Sequence, residues 1–183
     1  MKSILRNLLI IILIYSGCVP TPPPWTSDSP SELIEKADSL LAIRPNDLKL
    51  KDAIIKANIK LAKNNNNSIY YKKILEIDPK NKRANYYIYL QEGQFHHKKG
   101  HKNGQWDAIQ SFSKAASMID TLGEPYYWLG LAYEKKDEMD FELPLESYDK
   151  ALTLFMNNDI KTKVVLTRAE LLERKKTYDD FWK

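Results

Sequence analysis

Ile43-Arg44-Pro45-Asn46 returns as Ile77-Asp78-Pro79-Lys80 after 34 residues, and a worn copy, Ile119-Asp120-Thr121, follows 42 residues later. A period of 34 is the length of one helix–turn–helix unit. Such a unit cannot bury its apolar face alone, so successive units stack side by side into a solenoid. That register constrains the fold more than any other feature of the chain.

The segments between these turns read as helices. Ser31 with Glu35 behind it opens one whose apolar stripe is Leu33, Ile34, Ala37, Leu40 and Leu41, at three- and four-residue steps. Pro45-Asn46-Asp47 ends that helix and caps the next, which runs from Leu48 to about Lys63 with Leu50, Ile54, Ala57 and Leu61 on one side. The asparagine run 64–67 reads as a tolerant turn between helices. Ile69, Tyr70, Ile74 and Ile77 make the following stripe. Residues 159–176 read as a last amphipathic helix with Ile160, Val164, Leu166, Ala169 and Leu172 inward, its polar outer face keeping the array soluble. The count is seven or eight helices, and the fold class is all-α. Only six glycines in 183 residues and little strand-like alternation agree with it.

Two stretches carry a family pattern. Ala108-Ile109-Gln110-Ser111-Phe112-Ser113-Lys114-Ala115 places a small residue, an aromatic and an alanine as a second helix would, and Tyr126-Tyr127-Trp128-Leu129-Gly130-Leu131-Ala132-Tyr133 does so for a first helix. Tyr148-Asp149-Lys150-Ala151-Leu152 closes that repeat. The small residues let two helices approach while the large ones fill the space beside them. On these residues the chain resembles the tetratricopeptide repeat family over roughly 31–156, with the best match at 124–156. The resemblance implies an α-solenoid of antiparallel helical hairpins with a C-terminal capping helix. It also implies that a concave face lined by the first helix of each repeat binds a peptide or protein segment. By register that groove would be lined by Arg83, Tyr86, Leu90, Tyr127, Leu131, Glu134 and Lys135. Two departures stand out. The repeat starting near Lys82 is eight residues too long, with the excess around 93–104, and Pro144 takes a place the family gives to a small helix former. Pro144 fits the first turn of its helix, where a missing N–H costs little.

The start of the chain suggests where such a domain works. Lys2 and Arg6 precede the apolar run Leu8–Ile14 and then Ser16-Gly17-Cys18, the build of a secretory signal peptide. The run is far below the ~20 residues that span a bilayer. A cysteine directly after Ser-Gly resembles the bacterial lipobox, in which the thiol is acylated and cleavage leaves Cys18 first; Tyr15 departs from the leucine that pattern prefers. Acyl chains add about 0.8 kcal/mol per buried CH₂, so two or three of them hold a domain on a membrane. The expected organisation is a signal peptide at 1–17, a proline-rich lipid-anchored linker at 18–30, the helical-repeat domain at 31–176 and an aromatic tail at 177–183 that folds back on the last helix. The protein would face the periplasm, with Val19 favouring the outer membrane over the inner.

Charge and motifs exclude other classes. The net charge of +4 falls to +2 without Lys2 and Arg6, too little and too dispersed for nucleic acid. One cysteine rules out an intrachain disulfide. No phosphate loop, HExxH or Gly-x-Ser-x-Gly elbow occurs, so no catalytic residue, metal ligand set or cofactor is expected. Asp137, Glu138, Asp140 and Glu142 read as a solvated turn. His96, His97 and His101 are all the histidines of the chain. The spacing of four between the last two suits zinc or copper on a helix, yet three histidines among lysines read first as a solvated loop. A scaffold for an envelope complex is the leading expectation; capture of a small ligand or metal by the insertion 93–104 is the alternative.

Overall fold

The computed structural model describes residues 24–65, 67–100 and 102–182. After a 3-10 turn at Pro24–Thr26, nine α-helices follow among the described residues: α1 (Pro30–Glu35), α2 (Ala37–Ile43), α3 (Leu48–Asn65), α4 (Ser68–Ile77), α5 (Lys82–Lys99), α6 (Lys102–Met118), α7 (Glu124–Lys136), α8 (Glu142–Leu152) and α9 (Asn158–Phe181). One more than expected arises because the first stretch breaks at Lys36 into α1 and α2. The chain divides within α3, between Ala57 and Asn58, into two compact units.

In the first unit the described end of the expected linker, residues 24–30, lies against the helices that follow it. Trp25 is buried with the Arg44 guanidinium 4.8 Å above its ring, and Lys36 pairs with Asp28 at 3.2 Å. The cap of α1 is Ser29, two residues ahead of the expected Ser31. Its hydroxyl accepts the Glu32 N–H at 3.4 Å and Glu32 Oε2 accepts the Ser29 N–H at 2.8 Å, a reciprocal capping box with Pro30 in the first turn. Those bonds from Ser29 hold the Glu32 carboxyl below its usual pKa. Cys18 and the rest of the expected signal and tether lie outside the described residues.

The 34-residue register is visible in the main chain. Arg44 N–H donates to the Leu40 carbonyl at 2.9 Å and Asp47 N–H to that of Arg44 at 3.2 Å; Asp78 N–H donates to Ile74 at 2.8 Å and Asn81 N–H to Asp78 at 3.0 Å. Each turn then caps the helix after it. Asp47 Oδ1 accepts from Lys49 and Leu50, both at 3.0 Å, and Asn81 Oδ1 accepts from Ala84 at 3.1 Å, satisfying orphan N–H groups of the first turn. The asparagine run is shorter as a turn than expected: α3 continues through Asn65, and Asn67 caps α4 by accepting the Ile69 N–H at 3.0 Å.

In the second unit α4 to α9 form a solenoid of antiparallel hairpins, each helix packed on the next and α5 also on α7. Two locks repeat. A Cβ on Gly93 would stand 2.4 Å from the Phe112 ring, and one on Gly130 2.3 Å from the Tyr148 ring. The aromatic side chains therefore lie directly against bare backbone. Around them Tyr86, Leu90, Ala108, Ile109, Phe112, Ala115, Leu129 and Ala132 form one core, and Tyr127, Phe141, Tyr148, Ala151, Val164 and Leu171 a second. Pro144 sits buried in the first turn of α8. The turns before α7 and after α8 are tied by main chain, with Gly123 N–H donating to Phe155 at 2.9 Å and Phe155 N–H to Thr121 at 3.0 Å. Glycine is required there, because a Cβ would meet the Ala151 carbonyl at 2.5 Å.

Three expectations are corrected in this unit. The excess length at 93–104 is not a solvated loop: it lengthens α5 and α6 to 18 and 17 residues, against 13 and 11 in α7 and α8. Gly100, at φ 78°, ends α5 in the left-handed conformation that glycine adopts without strain. The tail does not fold back, since α9 continues unbroken through Thr177 to Phe181, leaving Phe181 78% exposed. Finally, α9 is rotated from the expected orientation. Val164 and Leu171 are buried and Ile160 half-buried, while Leu166, Ala169 and Leu172 face solvent.

Candidate functional site

The first-type helices of the second unit, α5, α7 and α9, line a common groove. Its polar half is a cleft of about 530 Å³ bounded by His97, Leu131, Glu134, Lys135, Glu138, Thr167 and Arg174. A second cleft of about 550 Å³ adjoins it, sharing Glu138 and Arg174 and adding Met139, Phe141, Glu173, Thr177, Tyr178 and Phe181. One end is thus charged and the other aromatic.

The charged half is held by a chain of bonds. Glu134 accepts a hydrogen bond from the Tyr148 hydroxyl and a 2.9 Å ion pair from Arg174 Nη1. Arg174 Nη2 donates to the Glu138 carbonyl at 3.3 Å, and its guanidinium lies 6.0 Å from the Phe141 ring. A guanidinium can serve several acceptors at once because its five N–H donors form a fixed fork. Burial first, then the Glu134 contact, pushes the Tyr148 hydroxyl far above its ordinary pKa, so it stays a donor. Lys135 Nζ donates to the His97 carbonyl at 3.2 Å, near the end of α5, where a cation suits the helix dipole.

His97 is anchored, not free. Its Nδ1 lies 2.7 Å from Gln105 Oε1, and Gln105 Nε2 donates back to the His97 carbonyl at 3.2 Å. Gln105 itself is fully buried. Burial lowers the His97 pKa, with Lys135 adding to it and the Gln105 bond opposing. His96 turns away, 3.8 Å from Asp107, and His101 lies outside the described residues. Among the described residues no group of three His, Cys, Asp or Glu side chains converges as metal ligands would.

Of the seven residues expected to line the groove, Leu131, Glu134 and Lys135 do so. Tyr86 and Leu90 are instead core residues, 2% and 5% exposed, because the α5 face that carries them packs on α6 and α7. Tyr127 is buried beneath the groove, its ring beside Trp128 and Tyr148 and its hydroxyl bonded to Thr167. Arg83 is exposed at the start of α5, away from the two clefts. Sequence reasoning missed Arg174, Thr167, Tyr178 and Phe181. Their signal is the spacing of 7, 4 and 3 along α9 from Thr167, one helix face that runs on across the expected boundary between the capping helix and the tail at 177. On the opposite face of α7, a larger cleft of about 770 Å³ lies between Tyr126, Leu129, Tyr133 and the α8 residues Leu143, Glu146, Ser147 and Lys150.

No family model matches the chain, and no curated protein matches it. Among solved structures the chain is similar to the crystal structure of MamA, at 17% identity over 80% of this chain and 89% of that one, with a TM-score of 0.38.

Proposed function

We propose that the protein is a non-enzymatic interaction scaffold of a bacterial envelope complex, binding a peptide or protein segment in the α5–α7–α9 groove. The observation that carries this reading is the continuity of the two clefts through Glu138 and Arg174. A segment lying along them meets cationic and anionic groups at one end and an aromatic wall at the other. Aromatic and arginine side chains are the usual anchors of such contacts. Glu134 and Arg174 already satisfy one another, which suits recognition of a surface better than acid–base chemistry. The anchor in this reading is an acylated Cys18 on the periplasmic side, at the outer membrane by the Val19 rule. Its support is the order of basic, apolar and small residues before that cysteine.

A photo-crosslinking amino acid placed at Phe181 or Lys135, and at Leu143 on the opposite face, tests the groove in native membranes. One specific adduct from the first two positions and none from Leu143 is the expected result. Equal adducts from all three, or none at all, would remove the groove from the proposal. In the same cells, Cys18→Ser should move the protein out of the membrane fraction.

A further inference from the structure

The outward face of α9 has the pattern of an unfilled helix–helix seam. Thr162, Val165, Ala169, Leu172 and Lys176 recur at alternating steps of three and four, the 3.5-residue period of a two-stranded coil. Val165 is 50% exposed, Leu166 58% and Leu172 38%. A shallow cleft of about 360 Å³ runs beside Thr162, Val165 and Leu166. Among the described residues no other helix covers this face, although α9 buries Val164 and Leu171 on its inner side. An apolar stripe on both sides of one helix is the mark of a helix with neighbours on both sides.

The edges of the seam say what the second neighbour is. Lys161, Arg168 and Lys175 follow one another at seven-residue intervals along one edge, and Asp159, Leu166, Glu173 and Asp180 do so along the other. Two copies of α9 lying parallel would set the basic edge of each against the acidic edge of the other. Arg168 would face Glu173 of the second copy and Lys175 would face Asp180, with the Lys161 stem over Leu166. An antiparallel pair would instead bring basic edge to basic edge and acidic to acidic, which is unfavourable. In their own chain Arg168 also serves Asp149, and Lys175 serves both Glu142 and Asp179, but with five N–H donors on the one and three on the other, each keeps a donor for a carboxylate of the second copy. Ala169 at the middle of the stripe permits close approach.

We propose that α9 pairs in parallel with α9 of a second copy of this chain, across a two-fold axis running along the Val165–Ala169–Leu172 seam. With Thr162 and Lys176 bounding the apolar stretch, the pair is short and its population depends on concentration.

The test uses the full chain with Cys18→Ser and Thr162→Cys, so that one thiol remains, oxidised in mild detergent. A parallel seam sets residue 162 opposite its own copy, and a disulfide-linked dimer is expected. Adding Ala169→Glu, or Glu173→Lys with Asp180→Lys, should abolish the cross-link while leaving the helical circular dichroism unchanged, since all three positions are exposed. The proposal is overturned by a chain that stays uncross-linked or by cross-linking that survives Ala169→Glu. A dimer that links only when Thr162→Cys chains are mixed with Lys176→Cys chains overturns it too, because that pairing is antiparallel.

Discussion

The hairpins α5–α6 and α7–α8 are two solutions built on one lock. Gly93 receives Phe112 in the first and Gly130 receives Tyr148 in the second, with closely similar clearances. The difference lies in what surrounds the ring. In the first hairpin the aromatic is purely apolar, and a bond between half-buried His97 and buried Gln105 fastens the extended end. In the second the hydroxyl reaches through to Glu134 and Arg174, linking α8 to the groove and to α9. The packing rule is shared, then, and the polar atom added to it ties the second hairpin to α9.

The largest break in that comparison is removal of the rings. Phe112→Ala and Tyr148→Ala should each cost about 3–5 kcal/mol, read from urea unfolding, since both side chains are fully buried. Similar losses would confirm a common lock, whereas a loss below about 1 kcal/mol at either site would deny it. A finer cut is Tyr148→Phe, which turns the second lock into the first. Loss of a hydrogen bond to a charged group should cost about 1.5–3 kcal/mol and weaken capture by the groove, while the hairpin stays folded.

The smallest effect concerns the His97–Gln105 fastening. The folded pKa of His97 lies below its ordinary 6.5, so a proton binds the unfolded chain more readily. Its contribution is whole above about pH 6.5 and is lost as pH falls below that value. His97→Gln should therefore flatten the fall in stability between pH 7.5 and 5, measured by thermal unfolding. An unchanged slope would place the pH response elsewhere.

What the sequence disclosed follows the range of each interaction. Pro45, Asp47 and Pro79 act within four residues of themselves, so those turns and the cap at Asp47 were readable, whereas the caps at Ser29 and Asn81 were not. Gly130 and Tyr148 were readable through the family pattern. The rotation of α9 was not. Apolar residues lie on both sides of that helix, and periodicity alone does not tell which sector faces in; Val164 and Leu171 won the interior and Leu166 and Leu172 lost it. The groove divides in the same way. Leu131, Glu134 and Lys135 sit on one turn-and-a-half of α7, but Arg174 arrives from 40 residues further on, a distance no local pattern encodes. Tyr86 and Leu90 were misassigned because an aromatic on a first-type helix suits either a groove or a core.

The short main-chain tie at Gly123 and Phe155 has a mechanical consequence. It clamps the beginning of α7 to the segment that leads into α9, while the opposite ends of those helices are joined by the Arg174 guanidinium, which reaches the Glu134 carboxylate and the Glu138 carbonyl. A change in the angle between α7 and α9 is therefore taken up away from the tie, where Met139 and Phe181 stand. In the proposed reading the tied end would serve as the fixed leg of a pair of calipers and the aromatic end as its gauge, set by the girth of the bound segment.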